Sequence, residues 1–272
     1  MITKQIEVMK GMPMLDVGGI SMYYSIKGEG VPIVFIHPPL LTSANFHYQE
    51  KQLSHTNQVI TFDIRGHGRS HRSEKPLSYS LIAEDIIQLL DHLKIKKAFI
   101  CGYSTGGSIA LEFMLRHAER SYGGIIISGM SEASDLYLRQ KISLARKLTS
   151  LSSVKLLARA IAWGNSQTKE TFNLLYDEAI KGDTQNIGQY YEYSLQYNCT
   201  NQLKNIHLPN LLLYGSKDKL FHRYAKLLHQ NLPNSKLKYL IKEKHQLPTK
   251  ASDELNQLIT HFVQVNSKQT QT

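Results

Sequence analysis

The stretch Phe99-Ile100-Cys101-Gly102-Tyr103-Ser104-Thr105-Gly106-Gly107-Ser108-Ile109 decides how this chain is read. An apolar run ending at Cys101 passes directly into a turn of small residues. A helical pattern then carries Ile109, Leu111, Phe113 and Met114 as far as His117. A serine on so sharp a strand-to-helix turn takes strained backbone angles, so the residues two before and two after it must be small. Gly102 and Gly106 meet that need. The turn presents the Ser104 hydroxyl at a helix N-terminus, where backbone N–H groups stabilise negative charge developing on an oxygen. G-x-S-x-G alone is a weak pattern, and its position between a strand and a helix is what makes it specific.

On either side of this turn the chain alternates short β-branched or aliphatic runs with helical patterns, as a mostly parallel sheet with crossover helices requires. The predicted strands are residues 20–26, 32–36, 58–62, 98–101 and 123–127. Leu81, Ile82, Ile86, Leu89, Leu90 and Leu93 recur at helical spacing behind Ser80, a candidate N-cap, and form a stripe to pack on the sheet. From 131 to 205 the strand signal gives way to helical patterns broken at Gly164-Asn165 and Gly182-Asp183, which reads as a helical cap inserted into a core of residues 1–130 and 206–272. Strand grammar resumes at 210–214 and 237–241, with helices at 221–231 and 252–265, and the tail after Asn266 reads as flexible.

Serine is a poor nucleophile at its own pKa, so it needs a base, and the base needs an anchor for its tautomer. Asp218 follows the predicted strand 210–214 and His245 follows 237–241. Both loops leave the carboxyl ends of strands, the edge where parallel sheets build their sites. Asp135, beyond the strand 123–127, is the rival acid.

Taken together, these residues resemble the α/β-hydrolase superfamily, in its cap-bearing group. The resemblance runs from Ile20 to Val265. Besides the elbow it rests on His37-Pro38-Pro39-Leu40, on Phe62-Asp63-Ile64-Arg65-Gly66-His67-Gly68-Arg69-Ser70, on Gly215-Ser216-Lys217-Asp218 and on the late His245. It implies a mostly parallel eight-stranded sheet flanked by helices, a triad in the chain order Ser104, Asp218, His245, and a scaffold role for Asp63 and Arg65. It also implies an oxyanion hole whose first donor is the Thr105 N–H. Relatives take the second donor from the residue two after the early histidine, here Pro39, which has no N–H. The expected donor is therefore Leu40. A further departure is Lys244 directly before His245, where relatives often carry glycine.

The activity this implies is that of a cofactor-free serine hydrolase acting on a small or medium ester through an acyl-enzyme. A C–C bond hydrolase or perhydrolase-like enzyme would use the same triad, and a signalling or ligand-binding member would keep it with slow turnover. Serine at the nucleophile position argues against haloalkane dehalogenases and epoxide hydrolases. The lack of extended glycine donors after the early strand argues against long-chain lipases and peptidases.

Composition narrows the partners. The 272 residues are 42% hydrophobic and 20% charged, an ordinary globular balance. The net charge of +10 suits a nucleic-acid binder only if the cations cluster, and along the chain they are dispersed. His67 and His71 have a metal-binding spacing only if helical, and Gly66 and Gly68 argue for a loop. Two distant cysteines, Cys101 and Cys199, and the lack of a signal-like or spanning apolar run point to the cytoplasm. The expected partner is a small-molecule substrate, with no cofactor, metal, nucleic acid or membrane. The cap tyrosines, including Tyr176, Tyr190, Tyr191, Tyr193 and Tyr197, divide between packing and pocket lining without a residue-level assignment.

Overall fold

The computed structural model describes residues 13–150 and 153–268. Eight strands form one sheet: β1 (Met14–Asp16), β2 (Ser21–Lys27), β3 (Val31–Ile36), β4 (Asn57–Phe62), β5 (Ala98–Tyr103), β6 (Ser121–Ile127), β7 (Asn210–Gly215) and β8 (Ser235–Leu240). Their order across the sheet is β1-β2-β4-β3-β5-β6-β7-β8. Only β1–β2 and β2–β4 are antiparallel; every other pairing is parallel.

The central strands are apolar without interruption because both faces of the sheet are covered. Alternate residues feed two separate cores. Val34, Ile36, Ile100, Ile126 and Leu212 join one with the helices α2 (Tyr79–His92), α3 (Thr105–Arg116) and α8 (His222–Asn231). Ile33, Phe35, Phe99, Ile125 and Leu213 join the other with Leu53 of α1 (His47–Leu53), Leu247 of α9 (Leu247–Lys250) and Leu255, Ile259 and Phe262 of α10 (Ser252–Lys268). Cys101 and Cys199 are free and buried. At the sheet's far edge, β8 pairs on one side only, and along it Lys236 and Lys238 point outward.

Among the described residues four further α-helices lie between β6 and β7: α4 (Leu136–Ser150), α5 (Val154–Asn165), α6 (Lys169–Ala179) and α7 (Thr184–Gln196). The breaks read from glycine fall where expected. α5 ends at Asn165, and Asp183 caps α7 by accepting from the Asn186 N–H at 2.9 Å.

Four details differ from the sequence reading. The cap of α2 is Ser78, whose Oγ accepts from the Leu81 N–H at 3.1 Å, while Ser80 bonds the Ser78 hydroxyl. The last strand begins at Ser235 and stops before the exposed Ile241, because Lys242 takes a φ of 66° that turns the chain. β1 was not foreseen; three residues are too few for a periodic signal. α10 continues through Lys268, so Ser267 and Lys268, expected in a flexible tail after Asn266, are helical, and residues 269–272 of that expected tail lie outside the described ones.

A buried ion pair locks the segment 62–70 to this frame. Arg65 donates from Nε and Nη2 to the Asp85 carboxylate at 2.5 and 2.6 Å, and from Nη2 to the Val17 carbonyl at 2.6 Å. Burial lifts the Asp85 carboxyl to about 6 against the pull of Arg65. Removing one partner of such a pair strands the other charge in a medium that solvates it poorly. Asp85→Ala is expected to lower stability by about 3–5 kcal/mol at a pH of about 8, where the pair is charged. Chemical denaturation checks this, and an unchanged midpoint would remove Arg65–Asp85 from the scaffold.

Candidate active site

Ser104 closes β5 at φ 54° and ψ −122°, a region sparsely populated by residues with a Cβ. Its N–H donates to the Ile127 carbonyl at 2.8 Å and its carbonyl accepts from the Gly107 N–H at 2.9 Å, so neighbours on both sides hold the strained turn. The flanking glycines are there for close approach. A Cβ on Gly102 would stand 2.1 Å from the Gly106 carbonyl oxygen, and one on Gly106 would stand 2.2 Å from that of Ile36.

Asp218 sits in a turn after β7 in which its N–H donates to the Gly215 carbonyl at 3.0 Å. The loop after β8 is bonded to this turn: the Lys217 N–H donates to Glu243 O at 2.8 Å and the Ser216 N–H to Leu240 O at 2.9 Å. The two loops are therefore tied to each other. His245 bridges them to the elbow. Its Nδ1 lies 2.7 Å from Asp218 Oδ2 and its Nε2 lies 3.1 Å from Ser104 Oγ. With a proton on Nδ1, donated to the carboxylate, Nε2 is free to accept from the serine hydroxyl. The ring is held between Phe221 and Tyr103, at centroid distances of 4.3 and 5.5 Å. The structure thus brings together all three residues singled out from sequence. The rival acid is elsewhere: Asp135 accepts from the Leu138 N–H at 3.0 Å, at the start of α4, and pairs with Arg223 at 3.3 Å.

Beside Ser104 lies a cavity of about 310 Å³. Pro38, Pro39, Leu41 and Thr105 form its wall near the elbow, while Leu138, Ile142, Ile161, Asn165 and Tyr191 reach it from the helices between β6 and β7. Leu40 does not line it. The Leu40 side chain is buried in the core, and its backbone takes a φ of 69° directly after Pro39, the pattern of a type II turn. Among the described residues the Leu40 N–H has no hydrogen-bond partner. Thr105 opens α3, so its N–H is one of the four that a helix leaves unpaired.

Residue-level roles emerge for the tyrosines that sequence left unassigned. Tyr190, fully buried, donates to the His37 carbonyl at 3.0 Å and so fastens α7 to the loop beside the elbow. Tyr191 lines the cavity, and Tyr193 and Tyr197 pack on Tyr79. Tyr103 donates to Asn165 Oδ1 at 3.2 Å, a second tie across the cavity. None of these carried a signal in sequence beyond being aromatic.

A family model described as serine aminopeptidase, S33, matches residues 33–249. The chain belongs to this family of α/β-hydrolases. A putative carbamate hydrolase, RutD, of Azorhizobium caulinodans is 26% identical to this hydrolase over 92% of the chain and 98% of its own length. The human serine hydrolase BPHL is 25% identical, over 91% of the chain and 84% of its own length. An esterase from Exiguobacterium antarcticum superposes with a TM-score of 0.83 at 20% identity, covering 93% of the chain and 99% of its own, which shows a shared fold. Among the described residues no helix is long and apolar enough to cross a membrane.

Under the site, two buried histidines are neutral. His37 donates from Nδ1 to the Pro38 carbonyl at 2.9 Å and accepts the Ile64 N–H on Nε2 at 2.9 Å. Burial, with His67 beside it, holds it well below the ordinary histidine range. Burial likewise pulls His67 down to about 4, and its Nε2 has no hydrogen-bond partner among the described residues. The unfolded chain takes up the His67 proton at about 6.5, well before the native state does. Stability is therefore full above that pH and falls as pH drops towards 4, by up to about 1.4 kcal/mol per unit for this group. His67→Gln should flatten the decline of the unfolding free energy over this window. An equal slope in both proteins would show that His67 is not buried neutral.

Proposed function

We propose that the protein is a cofactor-free serine hydrolase of small or medium esters, acting through an acyl-enzyme. The observation that carries this reading is the hydrogen-bonded chain from Ser104 Oγ through His245 to Asp218 on the wall of a mainly apolar cavity. Ser104 attacks the acyl carbonyl as His245 Nε2 takes its proton, and Asp218 holds the imidazolium that results. The proton passes from His245 to the leaving alkoxide, and water then repeats the sequence on the acyl-enzyme. A cavity of about 310 Å³ suits a compact acyl or alkyl group.

The oxyanion forms between the N–H groups of Thr105 and Leu40. Support comes from the unpaired state of both donors and from the turn after Pro38-Pro39, which presets the loop. Tyr190 keeps that loop in place from above.

The ester reading is favoured over aminopeptidase activity by the charge lining the cavity. An aminopeptidase must hold a free α-ammonium, which calls for a carboxylate. Among the described residues the one carboxylate in the lining, Asp218, is hydrogen-bonded to His245, and the remaining charged side chain is the cation Lys141. The names of the relatives, a carbamate hydrolase and a serine hydrolase, support acyl chemistry at a serine. Two free, buried cysteines fit a reducing compartment such as the cytoplasm.

A fluorophosphonate probe and a p-nitrophenyl ester series test the reading. Ser104→Ala should abolish labelling and hydrolysis, and Asp218→Asn should lower turnover by about 10,000-fold through the wrong histidine tautomer. Labelling retained in Ser104→Ala would refute the nucleophile, and an unaffected Asp218→Asn would refute the acid. In a crystal structure of the phosphonate adduct, the phosphoryl oxygen should lie about 3 Å from the nitrogens of Thr105 and Leu40. A Leu40 nitrogen pointing elsewhere would reassign the second donor.

A further inference from the structure

Six of the cations that look dispersed along the sequence fall on two successive helices. Residues 136–165, which include α4 and α5, contain six Lys or Arg and no Asp or Glu, more than half of the chain's net +10. The same two helices hold most of the large apolar side chains that the fold leaves outside. Leu136, Tyr137, Leu144, Leu156 and Trp163 each expose more than half of their surface, with Trp163 at 74%.

The arrangement follows helical periodicity. On α5 the exposed positions are Lys155, Leu156, Arg159, Ala160 and Trp163, a single face, while Ala158 and Ala162 are buried on the other. On α4, Tyr137, Lys141 and Leu144 are exposed at i, i+4 and i+7, with Lys141 also reaching the cavity, and Lys141 Nζ lies 4.3 Å from the Tyr137 ring centroid. Two of the six cations have inward duties: Arg146 pairs with Glu192 of α7, and Arg139 donates to the Ala133 and Leu195 carbonyls. Among the described residues Lys155 and Arg159 have no acidic partner. Basic residues interleaved with tryptophan, tyrosine and leucine are what an amphipathic surface needs to sit in the headgroup layer of an anionic bilayer.

We propose that the outer face of α4 and α5 docks on an anionic lipid surface. The inner sides of these same helices supply Leu138, Ile142, Ile161 and Asn165 to the cavity, so docking brings the site to substrates dissolved in the interface. The sequence-based expectation of no membrane partner rests on the lack of a spanning segment, and a surface-lying helix pair needs none. Charge complementarity selects the occupant. A second copy would set Lys155 and Arg159 against the same cations, whereas an anionic bilayer neutralises them.

Trp163 is the chain's single tryptophan, so tryptophan emission, excited selectively over the 15 tyrosines, reports this face alone. The full chain is mixed with vesicles of phosphatidylcholine, or of phosphatidylcholine with phosphatidylglycerol. The expected result is a blue shift and co-sedimentation with the anionic vesicles only, both reversed by high salt. The double variant Lys155→Glu/Arg159→Glu should lose on the order of tenfold or more in partitioning, while its turnover of a soluble p-nitrophenyl ester is unchanged. The readout is binding, so it stands whether or not the ester reading does. An unshifted Trp163 with anionic vesicles, or equal binding to neutral ones, overturns the proposal. So does a blue shift that grows with protein concentration in the absence of lipid, which would give this face to a second copy.

Discussion

One strained residue sets the terms for the rest of the molecule. Ser104 holds backbone angles that cost on the order of 1–3 kcal/mol in a residue with a Cβ, and they persist only because the surroundings leave the chain no alternative. β5 lies in mid-sheet, between β3 and β6, and each of its residues is buried. α3 starts on the next residue, pressed so near β3 that Gly106 admits no side chain. The hydroxyl is thereby placed before any substrate arrives, which is the sense in which a site is preorganised. Asp218 and His245 reach it from β7 and β8 through two loops bonded to each other, so the alignment of the three side chains is a property of one sheet edge.

The segment from Asp63 to Ser73 joins the sheet to the helices above it. Asp63 accepts from the N–H groups of Ser43 and Arg69 at 2.8 and 2.9 Å, although burial works to raise its pKa. Arg69 then reaches up to Glu178 of α6 with two bonds, at 2.9 and 3.0 Å. The Gly66 carbonyl accepts from the Asp183 N–H at 2.8 Å, and Asn186 bonds the Ser73 backbone in both directions. Arg65 anchors the same segment downward to Asp85. A motif that resembles the family's loop is thus the hinge pin between two layers, and its charges are spent on structure.

How much was legible depended on how local the signal was. The elbow could be read because strand, turn and helix are adjacent in the chain, and the central strands because burial on both faces removes the polar positions. Asp218 and His245 were found by chain order and by their place after strands. β1 and the start of β8 were missed or shifted, since edge strands carry weak patterns and Ser235 gains its place from pairing with Asn210. Ser78 against Ser80 turned on which hydroxyl met the Leu81 N–H, a matter of one bond. The roles of Tyr190, Tyr191 and Asn165 depend on contacts across more than 60 residues of sequence, as with Tyr190 and His37, and no periodicity reports those. The positive surface was hidden for the opposite reason: its charges are spaced to suit a helix, so they look scattered along a line.

β8 ends the sheet with one side of its backbone unpaired, and its outward lysines have a consequence for the molecule in company. A bare strand at a sheet's margin is a template on which another chain's strand can add, and like charges along it are a common guard against that. Lys236 and Lys238, with Lys242 and Lys244 just beyond, make two such margins repel. Neutralising them would invite two such margins to pair edge to edge, so the harm would appear as association between copies rather than as a loss of fold.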